Sequence, residues 1–440
     1  MGFLVGVLVF VVGLLVSIAL HEVGHMVPAK RFGVRVSQYM VGFGPTLWSR
    51  TRGETEYGIK GIPLGGYVRL IGMYPPGDVV GAKQPKGRIA ELVADARDAS
   101  ASEIRPGEDH RAFYRLSTPK KLVVMLGGPV MNLLIAVVLL AVVLMGFGVL
   151  TPTTQVAALS QCVLAADAPA DAECGPADPV APALAAGFEP GDVVVAFDGA
   201  EISTWGALTE RIRESGGRAV VATVERDGQR LDLTVTPLLT ERPVLDASGA
   251  AVLDATGAPQ TVRAGFLGVT PTSAMTPQPA SAVPSRVWDM VSQTVGVVVT
   301  LPARVVDIVT TTVNGTPRDA TSVVGLVGVG RFAGEIAATD VEGYGLKERT
   351  ADMLGMLAAL NLALFAFNLI PLVPLDGGHV AGALWEGGRR QIARLRGARE
   401  PRPADTARLM PLAYTVFVLL AGLGLVLVYA DLVNPVRLGG

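Results

Sequence analysis

Four long apolar runs mark the chain, at 3–20, 122–150, 353–375 and 409–429. Each approaches or exceeds the roughly 20 residues that a helix needs to cross a bilayer core, so the pattern predicts four transmembrane helices. Between the runs the periodicity changes. Residues 34–73 carry short β-type stretches punctuated by glycine, as in Val41-Gly42-Phe43-Gly44-Pro45 and Ile62-Pro63-Leu64-Gly65-Gly66-Tyr67-Val68, and predict a small sheet of hairpins. Residues 74–110 are rich in proline, glycine and charge and read as flexible linker, with one short helix around 88–99. Farther on, 190–199 gives a turn, a buried strand and a second turn. An amphipathic helix follows at about 204–214, then alternating strands at 219–225 and 231–236. A helix beside short antiparallel strands predicts a small α+β domain. Residues 285–313 have helical spacing and 323–331 are apolar and glycine-rich; neither is uniform enough for a span, and both are expected against the outer membrane surface.

Half of the 440 residues are hydrophobic and 17% are charged, which is too apolar for a soluble chain of this length. The lipid bilayer is therefore an expected partner. A net charge of −2 offers no concentrated basic surface, and nucleic acid is excluded as one.

The basic residues are segregated. Lys30, Arg31 and Arg35 follow the first run, and Arg111, Arg115, Lys120 and Lys121 precede the second. Arg389, Arg390, Arg394, Arg396, Arg399, Arg402 and Arg408 fill the loop before the fourth. By the positive-inside rule these loops are cytoplasmic, and both termini and about 151–349 lie outside. No Lys or Arg precedes the first run and no small-residue cleavage site follows it, so it is read as a retained span. Cys162 and Cys174 both fall outside, where an oxidising compartment permits a disulfide; spacing alone also allows two free thiols.

The first run ends in His21-Glu22-Val23-Gly24-His25. Residues four apart share a helix face, so both imidazoles can hold one zinc ion while Glu22 reaches a water on it. A carboxylate at such a depth is costly unless it works there. A catalytic zinc site needs a third protein ligand, and Asp376 is the acidic residue at the cytoplasmic end of the third run, the depth that topology assigns to His21 and His25. Around it, Pro371 and Pro374 free backbone groups, Gly377 and Gly378 allow a close turn, and Asn368 offers an amide to an extended peptide. His379 is read as supporting rather than ligating, and His110 as an exposed loop residue.

Taken together these motifs resemble the site-2 proteases, intramembrane zinc metalloproteases, and most of all the bacterial regulator-of-sigma-E type found in actinobacteria. The residues carrying the resemblance are the His-Glu-x-x-His span, the sheet at Gly42-Phe43-Gly44-Pro45 and Pro63-Leu64-Gly65-Gly66-Tyr67, and Gly127-Gly128-Pro129-Val130-Met131-Asn132 opening the second span. Asn368-Leu369-Ile370-Pro371 with Leu375-Asp376-Gly377-Gly378 completes the set. The external domain resembles a PDZ domain through Ala186-Gly187-Phe188-Glu189-Pro190-Gly191-Asp192, Phe197-Asp198-Gly199 and Glu225-Arg226-Asp227-Gly228, with apparent insertions at 165–185 and 242–263.

The resemblance implies zinc on His21, His25 and Asp376, Glu22 as the catalytic acid/base, and substrate contacts at Asn368, Pro371, Gly42, Gly44, Gly65 and Gly66. The implied fold is a multi-pass α-helical membrane protein with four transmembrane helices, a cytoplasmic membrane-associated β-sheet and an extracytoplasmic α+β PDZ-like domain. Its expected parts are 1–30 (first span with the zinc motif), 31–121 (cytoplasmic hairpin sheet and flexible linker), 122–150 (second span) and 155–275 (PDZ-like). They continue with 276–350 (external helical and glycine-rich), 351–378 (third span), 379–408 (cytoplasmic basic loop) and 409–431 (fourth span). Expected substrates are single-span membrane proteins already trimmed outside, such as anti-sigma factors or remnant signal peptides, whose ends the PDZ-like domain contacts. The expected location is the inner or plasma membrane. A membrane metalloprotease acting on loops or tails and a non-enzymatic PDZ receptor are the competing readings.

Overall fold

Helix α1 (Gly2–Arg31) runs unbroken through the first apolar run into the histidine motif, and Lys30 and Arg31 in its last turn complement the helix dipole. The computed structural model describes residues 2–436 apart from 166–171, 245–251, 253–259, 317, 319–321, 341–343 and 400. The chain forms two units, Met1–Phe147 with Gln278–Gly440, and Gly148–Pro277.

In the first unit α1 leads into β1 (Val36–Arg52) and β2 (Thr55–Leu70). Gln38 to Val41 pair with Glu56 to Ile59 and also with Gly66 to Arg69. A strand has two edges, so β2 must fold back, and the hairpin becomes a four-stranded ladder ordered 66–70, 36–41, 55–60, 46–52. The outermost strand, 66–70, pairs with 36–41 alone.

The stretch expected as flexible linker holds α2 (Gly77–Val80) and α3 (Arg88–Ser102). Helix α3 is pinned rather than loose: Arg97 makes a two-pronged ion pair with Asp405, through Nε at 3.1 Å and Nη2 at 2.5 Å, and the Tyr74 amide donates to Ser100 Oγ at 3.0 Å. Composition cannot reveal a partner about three hundred residues away.

Helix α4 (Thr118–Ala141) continues as a wider helical turn over Val142–Phe147. It packs on α1 through glycine: a Cβ on Gly24 would lie 2.2 Å from the Gly127 carbonyl oxygen, and one on Gly127 would lie 2.0 Å from that of Gly24.

The second unit contains β3 (Val149–Leu159), α5 (Pro182–Ala185), β4 (Val193–Phe197), β5 (Ala200–Glu201) and α6 (Trp205–Glu214), then β6 (Val220–Arg226), β7 (Gln229–Val235), β8 (Leu238–Pro243), β9 (Thr261–Phe266) and β10 (Val269–Thr276). One antiparallel sheet runs β10-β3-β4-β6-β7 with β5 against β4, and β8 pairs with β9. Phe188, Val194, Phe197, Leu208, Val224 and Leu267 centre its core, on which α6 lays Leu208 and Ile212. Thr204 caps α6 by accepting from the Ala207 amide at 3.3 Å. Asp198 and Asp227 take positive φ (53° and 50°) before Gly199 and Gly228, as the tightest hairpin turns demand. Cys162 and Cys174 are disulfide-bonded. Residues 166–171 of the first apparent insertion and 245–251 and 253–259, most of the second, lie outside the described residues.

The first unit resumes with α7 (Ala282–Asn314), α8 (Leu326–Ala338), α9 (Leu346–Asn368), α10 (Asp376–Leu395) and α11 (Met410–Val433). Five helices among the described residues are long and apolar enough to cross a membrane: α1, α4 with its extension, α7, α9 and α11. The sequence pattern foresees four of these, and α7 is the addition. The third run does not stay helical to residue 375. Helix α9 stops at Asn368, 369–375 is irregular around Pro371 and Pro374, and Asp376 starts α10, which fills much of the expected 379–408 loop. The buried Glu386 of α10 pairs with the buried Lys121 of α4 at 2.9 Å, anchoring a segment that composition alone marks as basic loop.

Candidate metal centre

Helical spacing stacks His21 and His25 on one face of α1, with Nε2 atoms 3.2 Å apart. From the other end of the chain, the first residue of α10 meets them: Asp376 Oδ2 lies 3.4 Å from His21 Nε2 and 3.3 Å from His25 Nε2. That oxygen is buried and has no hydrogen-bond partner, a costly arrangement for a carboxylate unless a cation completes it. Two imidazole nitrogens and one carboxylate oxygen converging on a point form the donor set of a zinc site with one position left open. Among the described residues this is the one such cluster.

Helix α4 supplies no donor to this point but sets both imidazoles. His25 Nδ1 lies 2.8 Å from the Val124 carbonyl oxygen, so it donates there and leaves Nε2 free for the metal position. His21 Nδ1 faces the side-chain amide of Asn132 at 3.1 Å. Val124, Gly128 and Asn132 are spaced by four and share a stripe of α4. Gly128 is required between them, because a Cβ there would come within 2.2 Å of His25 Nε2 and 2.7 Å of His21 Nε2.

Glu22 is 8% exposed and opens onto the same cavity, about 330 Å³, with Gly66, Tyr67, Val68, Met125, Asn368 and Pro374 in its wall. The outermost strand, 66–70, therefore runs past the metal position. Gly66 lets it approach, since a Cβ there would lie 3.1 Å from Glu22 Cγ. A second groove, about 650 Å³, shares the 67–70 strand and continues between α3 and the start of α11.

Of the residues expected at the site, His21, Glu22, His25, Asp376, Asn368 and Gly66 meet at this cavity, and His379 joins its wall. Pro371 is exposed and does not line the cavity; Pro374 does, because the irregular 369–375 segment turns after Pro371. Gly42, Gly44 and Gly65 also lie off the cavity wall. Their backbones are left-handed (φ +92°, +80° and +98°), and at Gly42 a Cβ would strike the Ile62 and Lys60 carbonyl oxygens at 2.8 and 2.9 Å, so they shape the sheet rather than line the site. Sequence reasoning passed over Val124, Met125 and Asn132. The fourfold spacing inside the Gly127 to Asn132 run was the available signal.

A model of peptidase family M50 matches residues 9–400. The chain is 35% identical over 443 residues to the zinc metalloprotease Rip1 of Mycobacterium tuberculosis, with both chains covered completely. It is 28% identical over 403 residues to the metalloprotease MmpA of Caulobacter vibrioides, covering 87% of this chain and 88% of that one. It is 29% identical over 276 residues to the zinc metalloprotease RasP of Oceanobacillus iheyensis, covering 51% of this chain and 60% of that one.

Proposed function

Because the chain belongs to peptidase family M50, the site-2 proteases, and is a zinc metalloprotease of the membrane, we propose that it cleaves single-span membrane proteins inside their membrane helix at the His21, His25 and Asp376 cluster. The observation that carries this reading is the convergence of an orphaned buried carboxylate with two oriented imidazoles beside Glu22, from segments some 350 residues apart in the chain.

Zinc, when bound there, supplies Lewis-acid activation of a water and of the scissile carbonyl. The Glu22 carboxylate takes the proton from the attacking water and returns it to the nitrogen of the departing amine. A helical substrate hides its carbonyls, and unwinding it in a membrane leaves backbone groups that need partners. Asn368 offers a side-chain amide, and the 66–70 strand has an edge unpaired by the sheet, so an extended substrate segment can add to it beside Glu22.

The direction of the helices supports a reading of sidedness. α1 and α9 both run toward the metal cluster, whereas α4 runs away from it, and so does α11, whose Met410 lies against Tyr74 and whose far end carries Asp431. Helix α7 is tied to that far end at both of its own ends. The Gln278 amide before it donates to the Leu144 carbonyl at the end of α4 (2.8 Å), and Arg318 after it makes a buried ion pair with Asp431 (3.1 Å). A helix of 33 residues, about 50 Å long, with both ends on one side lies in the membrane plane rather than across it. Its exposed Trp288, Val295, Val299, Val306 and Val313 form one apolar stripe, with Arg286, Asp289, Arg304 and Asp307 on another face. This placement of α7 supports a reading with four spans. With it, the basic flanks favour a cytoplasmic metal end and an external position for residues 148–277, PDZ-like by their motifs.

The substrate class supported by this arrangement is a single-span protein already shortened outside, such as an anti-sigma factor or a remnant signal peptide. The test is a Glu22→Gln variant of the full chain. It is expected to keep zinc, lose cleavage and retain uncut membrane peptides on purification, identified by mass spectrometry. Cleavage at the wild-type rate overturns the assignment.

A further inference from the structure

The Asn132 amide is buried completely, and the function proposed above leaves it without a task. Its Nδ2 stands 3.1 Å from His21 Nδ1, while its Oδ1 is buried without a partner. His21 turns Nε2 toward Asp376 and His25. An imidazole that gives its Nε2 lone pair to a metal carries its proton on Nδ1, so an amide nitrogen placed there sets a donor against a donor. Turning the amide half a revolution about its terminal bond removes that conflict: His21 Nδ1–H donates to Asn132 Oδ1, and the orphaned oxygen gains a partner. His25 already shows the same arrangement, donating from Nδ1 to the Val124 carbonyl at 2.8 Å.

We propose that Asn132 is a positioning residue of the metal centre, holding His21 with Nε2 toward the metal by accepting a hydrogen bond from its Nδ1–H. The inference rests on the metal reading above. Helix α4 thereby fixes both imidazoles, one through a backbone carbonyl and one through Asn132, while contributing no ligand. The two supports differ in one respect. The carbonyl persists under any substitution at Val124, whereas the amide is lost with residue 132, so His21 is the ligand whose orientation mutation can release.

The test compares Asn132→Leu, of similar size but unable to accept, with Asn132→Asp, which can only accept when ionised. Zinc affinity of the detergent-solubilised full chain is measured by competition with a chelator, and the visible absorption of the cobalt-loaded protein reports ligand geometry. Loss of such an outer support typically costs about 10- to 100-fold in metal affinity. Asn132→Leu is expected to lose about that much and to shift the cobalt bands, and Asn132→Asp to hold zinc within a few-fold of wild type. Wild-type affinity in Asn132→Leu overturns the proposal. So does a loss in Asn132→Asp as large as in Asn132→Leu, since a donor would then be what His21 requires. If Asn132→Leu does not fold, Asn132→Asp decides alone, a tenfold or greater loss counting against. Asp376→Ala run in parallel tells the premise apart: undiminished zinc affinity there removes the ligand assignment itself.

Discussion

At the scale of single residues, the proposed mechanism separates the groups that would hold the metal from the group that would move protons. Glu22 sits beside the cluster but is not one of its three donors. Glu22→Gln should therefore keep zinc while the rate falls by about 10²- to 10⁴-fold, the usual worth of a general acid/base. Asp376→Ala should lose cleavage and zinc together, whereas His379→Ala should keep its zinc; metal content by atomic emission, read beside turnover, checks all three. A second residue prediction concerns Asp192, buried in the other unit, which accepts from Arg226 Nε at 2.7 Å and from the Glu189 amide at 2.9 Å. Burial alone would raise its pKa, but the Arg226 hydrogen bonds and charge and the Glu189 amide together hold it below the usual carboxylate range. A folded-state pKa below the unfolded one stabilises at pH above the unfolded value of about 3.9 and loses that contribution as pH falls through the folded value. Hydrogen exchange of β4 and β6 in the full chain should thus show acid loosening confined to pH below about 4. Asp192→Asn should loosen these strands by about 1–3 kcal/mol at neutral pH and flatten the acid dependence.

At the scale of elements, the α1–α4 contact sets how closely the zinc motif meets its supports. Gly128→Ala puts a methyl group where the two Nε2 atoms lie, so zinc affinity should drop at least tenfold while the rest of the bundle stays folded. Gly24→Ala instead meets the Gly127 carbonyl at 2.2 Å and should part the helices, lowering thermal stability as well. A Gly128→Ala protein with normal zinc affinity would show that α4 stands farther from the histidines than described. Much at this scale was legible from hydrophobic period alone. The helix through His21 and His25 was legible because long apolar runs have one solution in lipid, and α6 because its pattern is amphipathic. Helix α3 was legible at 88–99 as well, but its anchoring was not, nor was helix α10, because Arg97–Asp405 and Lys121–Glu386 are pairs that join distant parts of the chain.

For the whole molecule, the helix directions give testable topology. Both native cysteines are disulfide-bonded, so a single cysteine introduced at Arg394 is the sole free thiol. In intact cells it should resist an impermeant thiol reagent, while one introduced at Trp288 of α7 should react or be shielded only by lipid, and permeabilisation should expose the first. Ready labelling at residue 394 in intact cells reverses the orientation. On the proposed topology, residues 148–277 would act on which substrates arrive rather than on the zinc chemistry, either by excluding bulky external domains or by capturing a new peptide end. Gly191 has φ +102°, a conformation only glycine takes easily, and Gly191→Trp should distort this unit. Cleavage of a short membrane stub should persist within about twofold while the untrimmed parent becomes cleavable. Stub cleavage as low as in Glu22→Gln, or full resistance of the parent, removes the exclusion mechanism.

The chain's own pattern determined the four long apolar runs, the His-Glu-x-x-His motif at the end of the first, the acidic residue just past the third and the clustering of basic residues in particular loops. These features are local: each follows from the period, length or charge of one segment, and lipid permits few alternatives. Tertiary structure alone decided that α7 is tied at both ends to the side away from the metal, that Pro374 rather than Pro371 reaches the cavity, and that α4 orients both histidines through Val124 and Asn132. Those outcomes depend on which distant groups come within about 3 Å of one another, the range over which hydrogen bonds act. Segment pattern carries no record of such distances until the helices have packed.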